Sequence, residues 1–305
     1  MSGARTRRQA AAELKAPEGQ STPHDGNGKA TQVTPSAAAE TERSENVFLF
    51  WPNIIGYWRI VLAIASLYYM NLHPRTCSLL YSVSCLLDAL DGYAARYLDQ
   101  STRFGAVLDM VTDRCTTACL LVFLSSSFPR WAILFQGLIS LDFSSHYIHM
   151  FATLAMGGSD TSHKNVDASR SKILNLYYTN RTVLFVCCAL NEVFFIALYL
   201  LSFSSPTLSP NLLKGVPKHA AEAIHQGAQV NSSLLSHLFT NPYSAGALEL
   251  ARANKMDSFW PWVIAGVSFP VMALKQIINV IQLIKASRWL AEGDVRARRE
   301  RKKKL

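Results

Sequence analysis

Residues 86–114 read LLDALDGYAARYLDQSTRFGAVLDMVTDR. Asp88, Asp91 and Ala95 recur at steps of three and four, so a helix places them on one face; Gly105, Asp109 and Asp113 recur every four and share a face of a second helix. The intervening Tyr97–Arg103 forms a turn that folds the two helices antiparallel, and the four aspartates converge at adjacent helix ends. Apolar sequence surrounds them. An ionisable group in such a segment costs a few kcal/mol even on lenient insertion scales, so the cluster needs a chemical reason.

The flanking sequence supplies the setting. The chain of 305 residues is 50% hydrophobic and 17% charged, against about a quarter charged in soluble domains. The apolar residues fall into six stretches near the length of a bilayer crossing, about 54–72, 76–97, 104–126, 130–155, 182–203 and 259–285. Short connections between the early stretches imply antiparallel neighbours. The expected fold is all-α, a polytopic membrane bundle of six transmembrane helices spanning 46–285.

Outside the bundle the composition changes. Residues 1–45 are rich in Ala, Ser, Thr, Gly, Pro and charge and lack periodicity, which predicts a disordered tail. No apolar core follows its basic start, so it is not a signal peptide. Val47-Phe48-Leu49-Phe50-Trp51-Pro52 suits the headgroup interface and the start of a helix. Residues 205–257 form an insertion with short amphipathic stretches and no continuous span, and residues 286–305 form a basic tail.

The net charge of +9 comes largely from that tail. It lacks aromatic interleaving or a recognisable fold for nucleic acid, which is excluded as a partner, and reads as a solvated tail beside membrane lipids. Counting Arg103, Lys164, Arg170, Lys172, Arg181 and the tail against Arg75, Arg130, Lys214, Lys218, Arg252 and Lys255 places both termini and the aspartates in the cytoplasm, with 205–257 in the lumen. The terminal Lys302-Lys303-Lys304-Leu305 resembles a dilysine retrieval signal of the endoplasmic reticulum, whose membrane is the expected address. The six cysteines show neither zinc-ligand spacing nor a secreted disulfide pattern, and read as packing residues.

Clustered carboxylates in a low-dielectric site either share protons or bind cations. Oxygen-only ligands without His or Cys select hard ions such as Mg²⁺ or Mn²⁺, and two such ions roughly 4 Å apart would clamp a diphosphate for in-line displacement. Gly92 and Gly105 leave room where a ligand approaches the backbone, or where helices pack closely. Arg96 adds a fork suited to phosphate oxygens.

The string DALDGYAARYLDQSTRFGAVLDMVTD resembles the signature of the CDP-alcohol phosphatidyltransferases, D-x-x-D-G-x-x-A-R, eight residues, then G-x-x-x-D-x-x-x-D, with all eight fixed positions present. Further stretches (ENVFLFWPNIIGYWRIVLA, SLDFSSHYIH, SHK at 162–164, YYTNR at 177–181) are similar to the phosphatidylinositol synthase branch of that family. The resemblance covers about 46–203 and, more weakly, 259–290; the N-terminal tail and the 205–257 insertion depart from the family's compact form.

That resemblance implies transfer of a phosphatidyl group from CDP-diacylglycerol to myo-inositol, releasing CMP, with two divalent ions, Mg²⁺ or Mn²⁺, in a homodimer. It implies Asp88, Asp91, Asp109 and Asp113 as metal ligands, and Asp113 also as general base. It implies Gly92, Arg96, Thr102 and Gly105 around the CDP moiety, with Asn53 and Arg59 reaching the nucleotide; Asn53 also reads as a helix cap beside Pro52. Acceptor-pocket candidates are Asp142, His146 and His149 on one face of the fourth stretch, and Lys164, Lys172 and Arg181; Glu192 and Lys275 read as an intramembrane pair.

The signature does not separate inositol from glycerol 3-phosphate, serine or choline as acceptor. A prenyltransferase would carry two separate acidic motifs where one is present. A cation transporter would carry its carboxylates near the bilayer midplane and show repeat symmetry between halves.

Overall fold

The computed structural model describes residues 46–156, 180–204 and 210–304. The tail 1–45, Lys164, Lys172 and the stretches 162–164 and 177–179 lie outside the described residues, as does the side chain of Arg181. All regular structure among the described residues is helical, with no strand. Five long helices come first: α1 (Trp51–Tyr69), α2 (Pro74–Tyr97), α3 (Arg103–Ser127), α4 (Ala132–Met156) and α5 (Arg181–Leu201). Three short ones follow in the insertion, α6 (Lys218–His225), α7 (Ser232–Leu238) and α8 (Ala245–Arg252), and then α9 (Phe259–Lys304).

Local chemistry sets the boundaries. Pro52 sits in the first turn of α1 and Pro74 opens α2, positions where a missing N–H costs nothing. The Thr102 hydroxyl caps α3 by accepting from Gly105 N, and the Asn180 side chain caps α5 by accepting from Thr182 N and Val183 N. No breaker halts α9, which runs through Pro270 and on through the basic segment to Lys304. The expected tail after 285 is therefore a helical continuation, exposed at its end.

α1 packs on α2 and α3, α3 on α4, and α9 on α4 and α5. Phe123, Leu124, Phe195, Tyr199 and Phe203 form the centre of the largest core cluster, with Cys77 and Tyr81 of α2. Phe123, Leu124, Tyr199 and Phe203 lie toward the end of the bundle away from the aspartates, where the Tyr199 hydroxyl donates to the Met70 carbonyl at 2.9 Å. The outer faces are apolar: Trp58, Val61, Ile64 and Tyr68 on α1, and Val263, Val267, Leu274 and Ile277 on α9, are all exposed. A soluble monomer rarely exposes so large an apolar surface.

Thr182–Leu201 and Phe259–Lys304 are long and apolar enough to cross a membrane by length and composition. Membrane association thus rests on these two helices and the apolar outer faces. The charges of Asp88, Asp91, Asp109, Asp113 and Arg114 lower the apolarity of α2 and α3.

The insertion has its own small core of Leu213, Val216, Ile224 and Leu250. Its end is pinned to the bundle. Arg252 donates to Ser127 Oγ at 3.0 Å and lies 5.1 Å from the Phe123 ring centroid, and Lys255 donates from Nζ to the Leu72 carbonyl at 2.8 Å. Two cations expected only as luminal charges are thus anchors at the far end from the aspartates.

Candidate active site

The turn between α2 and α3 gathers three helix ends. Asp99 takes a left-handed backbone (φ 53°), which reverses the chain within five residues, 98–102. Gln100 Oε1 accepts from Trp51 N at 3.2 Å, tying the start of α1 to this turn, and Phe48 packs edge-on against Phe104 at 4.9 Å. Further in, Ser84 donates to the Arg59 carbonyl at 3.0 Å and fixes α1 against α2.

These contacts bring the aspartates together as their spacing predicts. Asp88, Asp91 and Asp109 each offer a carboxylate oxygen, all within 4.8 Å of one another. Asp113, one turn further along α3, lies outside that trio but shares its central partner. That partner is Arg59. Its Nη1 stands 2.6 Å from Asp91 Oδ2 and 2.8 Å from Asp109 Oδ1; its Nη2 stands 2.7 Å from Asp88 Oδ1 and 2.5 Å from Asp113 Oδ1. Arg59 is only 2% exposed. Expected at the nucleotide, it sits among the carboxylates instead, because its position two turns into α1 faces the aspartates across the helix interface.

The other nucleotide candidates occupy the rim. Arg96 is exposed, with its guanidinium over Gly92, where a Cβ would come within 3.4 Å of Nη1. Thr102 is the α3 cap, and its hydroxyl already accepts from Gly105 N at 3.0 Å. Gly105 allows close approach between α1 and α3, since a Cβ there would meet Asn53 Oδ1 at 2.7 Å. Asn53 is buried inside α1, and its amide donates to the Val47 carbonyl at 2.6 Å; Phe50, not Asn53, is the N-cap. Asn53 and Thr102 therefore shape the floor of the rim by holding backbone.

The donor set is all oxygen, and three of its members converge from two helices, which fits a hard divalent ion. Comparison with known proteins agrees with this composition. The CDP-alcohol phosphatidyltransferase family profile matches residues 49–203. A CDP-diacylglycerol–inositol 3-phosphatidyltransferase of Schizosaccharomyces pombe is 46% identical over 262 residues, covering 86% of this chain and 97% of that protein. Proteins of the same name from Mus musculus and Saccharomyces cerevisiae are 42% and 38% identical, covering 85% and 89% of this chain and 99% of each relative. The chain belongs to the CDP-alcohol phosphatidyltransferase family. No solved structure matches it.

In this member of the family a second polar cluster adjoins the aspartates. Arg114, next to Asp113, reaches α4: its Nε is 3.2 Å from Asp142 Oδ2 and its Nη1 is 2.7 Å from His146 Nε2. A guanidinium only donates, so Nε2 accepts and the His146 Nδ1–H points to the Asp142 carbonyl at 2.8 Å. Asn279 of α9 adds a contact to Asp142 at 3.4 Å. Sequence reading marked Asp142 and His146 but not the arginine that joins them; an arginine inside an apolar segment was itself the signal that a partner had to exist.

A cavity of about 240 Å³ lies beside this cluster, lined among others by Asp88, Asp113, Arg114, Thr117, Glu192 and Lys275. Glu192 does not pair with Lys275 as expected. It accepts instead from the Tyr81 hydroxyl at 2.7 Å and the Thr117 hydroxyl at 3.0 Å. Two hydroxyls already satisfy the carboxylate, and the ammonium is left facing the cavity. Lys275 is buried and makes no hydrogen bond or ion pair among the described residues. Asp142 and His146 do not line the cavity and meet it through Arg114.

Proposed function

We propose that the protein transfers the phosphatidyl group of CDP-diacylglycerol to myo-inositol, giving phosphatidylinositol and CMP. The observation that carries this reading is the convergence of Asp88, Asp91 and Asp109 within 4.8 Å, with Asp113 one turn away, in a family whose relatives bear the inositol transferase name.

Asp88, Asp91 and Asp109 would hold the divalent ions, with Asp113 at the edge of the set. Bound there, such ions would supply charge neutralisation on the diphosphate and make CMP a better leaving group. Asp113 takes the proton from an inositol hydroxyl. That oxygen forms a bond to the phosphorus bearing the diacylglycerol, and the bond from this phosphorus to the bridging oxygen breaks, with CMP leaving with the electron pair. Asp113 suits the role because it lines the cavity and borders the trio. Arg96 and the backbone at Gly92 receive nucleotide phosphate and ribose at the exposed rim, with Thr102, Gly105 and Asn53 shaping it.

We place the acceptor in the cavity beside Asp113. The Lys275 side chain on the cavity wall supports this, since an ammonium donor there suits a hydroxylated ligand. The long helices α1 to α5 and the apolar part of α9 form six spans of an endoplasmic-reticulum membrane protein, with the catalytic end cytoplasmic. The alternative acceptors are separated by competition. In membranes supplied with CDP-diacylglycerol and radiolabelled inositol, unlabelled inositol should suppress labelled lipid while serine, choline and glycerol 3-phosphate should not. Suppression by one of those three would reassign the acceptor.

A further inference from the structure

Arg59 uses its guanidinium in an unusual way. A guanidinium docked on one carboxylate commonly presents two parallel N–H groups to it as a fork. Here each terminal nitrogen takes two carboxylates, Nη1 those of Asp91 and Asp109, Nη2 those of Asp88 and Asp113, while the buried Nε has no partner. The group is spread across the middle of the cluster, at the cost of one orphaned buried donor.

The same Asp88, Asp91 and Asp109 supply the oxygens that converge within 4.8 Å. A divalent ion of the magnesium class draws its oxygens to about 2.0–2.1 Å. Nη1 stands in contact with Asp91 and Asp109 at 2.6 and 2.8 Å. An ion and that nitrogen cannot both be centred on these two carboxylates.

We propose that Arg59 is the cluster's own exchangeable counter-cation: it neutralises the aspartates when no divalent ion is present, and it withdraws from Asp91 and Asp109 when one binds. This rests on reading the cluster as a divalent-metal site. Without a cation, four adjacent carboxylates in a low-dielectric setting repel one another, so Arg59 keeps the empty bundle folded. The consequence is a competition. Every ion that enters displaces a charge-assisted contact, so metal affinity is lower than the carboxylates alone would give.

The test is Mn²⁺ binding, read from the loss of the free-ion electron paramagnetic resonance signal in purified wild type, Arg59→Gln, Arg59→Lys and Asp91→Asn. Arg59→Gln should bind Mn²⁺ at least tenfold tighter than wild type. Arg59→Lys, whose compact ammonium cannot span both pairs of carboxylates, should bind severalfold tighter and is the variant to read where Arg59→Gln does not fold. Thermal unfolding provides the second readout: EDTA should lower the melting temperature of Arg59→Gln far more than that of wild type, and Mn²⁺ should restore it. Equal or weaker Mn²⁺ binding by both Arg59 variants would overturn the proposal and make Arg59 a fixed brace for the ligands. Wild type and Asp91→Asn binding Mn²⁺ alike, or neither binding it, would instead remove the metal reading itself.

Discussion

Asp113→Asn separates the two roles proposed for the aspartates, holding metal and taking a proton. The substitution keeps the shape of the side chain and removes its ability to accept a proton. Asp113 lies outside the trio of oxygens within 4.8 Å, and it makes one of four contacts to Arg59, at 2.5 Å. The trio proposed to hold the ions is untouched, so Mn²⁺ binding should stay within about tenfold of wild type, one decade or about 1.4 kcal/mol. Turnover should not. General-base catalysis contributes about 10²–10⁴-fold, which is about 2.7–5.4 kcal/mol in the barrier at 1.36 kcal/mol per decade. The assay is inositol-dependent CMP release at saturating CDP-diacylglycerol, paired with Mn²⁺ binding on the same preparation, with Asp91→Asn as the comparison that should lose both. Turnover of Asp113→Asn within tenfold of wild type would refute the base assignment. Loss of Mn²⁺ binding as complete as in Asp91→Asn would make Asp113 primarily a ligand.

Three further outcomes follow from the geometry. Gly105→Ala should lower activity and melting temperature together, because its Cβ would come within 2.7 Å of Asn53 Oδ1 and push α1 from α3; wild-type behaviour in both would show that the close approach is dispensable. Lys275→Met should raise the KM for inositol several-fold while leaving that for CDP-diacylglycerol within twofold, and equal change in both would remove Lys275 from the acceptor pocket. Of the two glycosylation sequons, Asn231 is exposed and makes no side-chain cap bond, while Asn180 caps α5; a glycosidase-sensitive shift lost in Asn231→Gln agrees with a luminal insertion, and one lost only in Asn180→Gln would place the aspartates in the lumen.

The aspartate trio was legible because helical periodicity and one short turn decide it locally. Asp88, Asp91 and Asp109 lie within 22 residues of one another, and no distant packing choice intervenes. Arg59 was legible as a nucleotide candidate but not as the centre of the cluster. Its place depends on how α1 packs on α2 and α3, a long-range register that no local pattern encodes. The same holds for Glu192, where Lys275 looked like the natural partner by charge. The structure instead supplies Tyr81 and Thr117 hydroxyls from two other helices. Arg252 and Lys255 were read by sign alone, as luminal charge, and their hydrogen bonds to Ser127 and Leu72 required the folded ends of α3 and α1. Helix starts were legible where Pro52, Pro74, Thr102 and Asn180 mark them, but of the six expected spans only Thr182–Leu201 and Phe259–Lys304 are long and apolar enough among the described residues to cross a membrane, and the last helix runs past 285 to Lys304.

The central claim is that these carboxylates direct a phosphatidyl group onto inositol, and product stoichiometry tests it most directly. Purified protein in lipid nanodiscs, given CDP-diacylglycerol, inositol and Mg²⁺ or Mn²⁺, should release CMP and form phosphatidylinositol one for one. Omitting inositol, omitting the lipid, or adding EDTA should each stop both products. CMP release that continues without inositol, or with no matching phosphatidylinositol, would contradict the account.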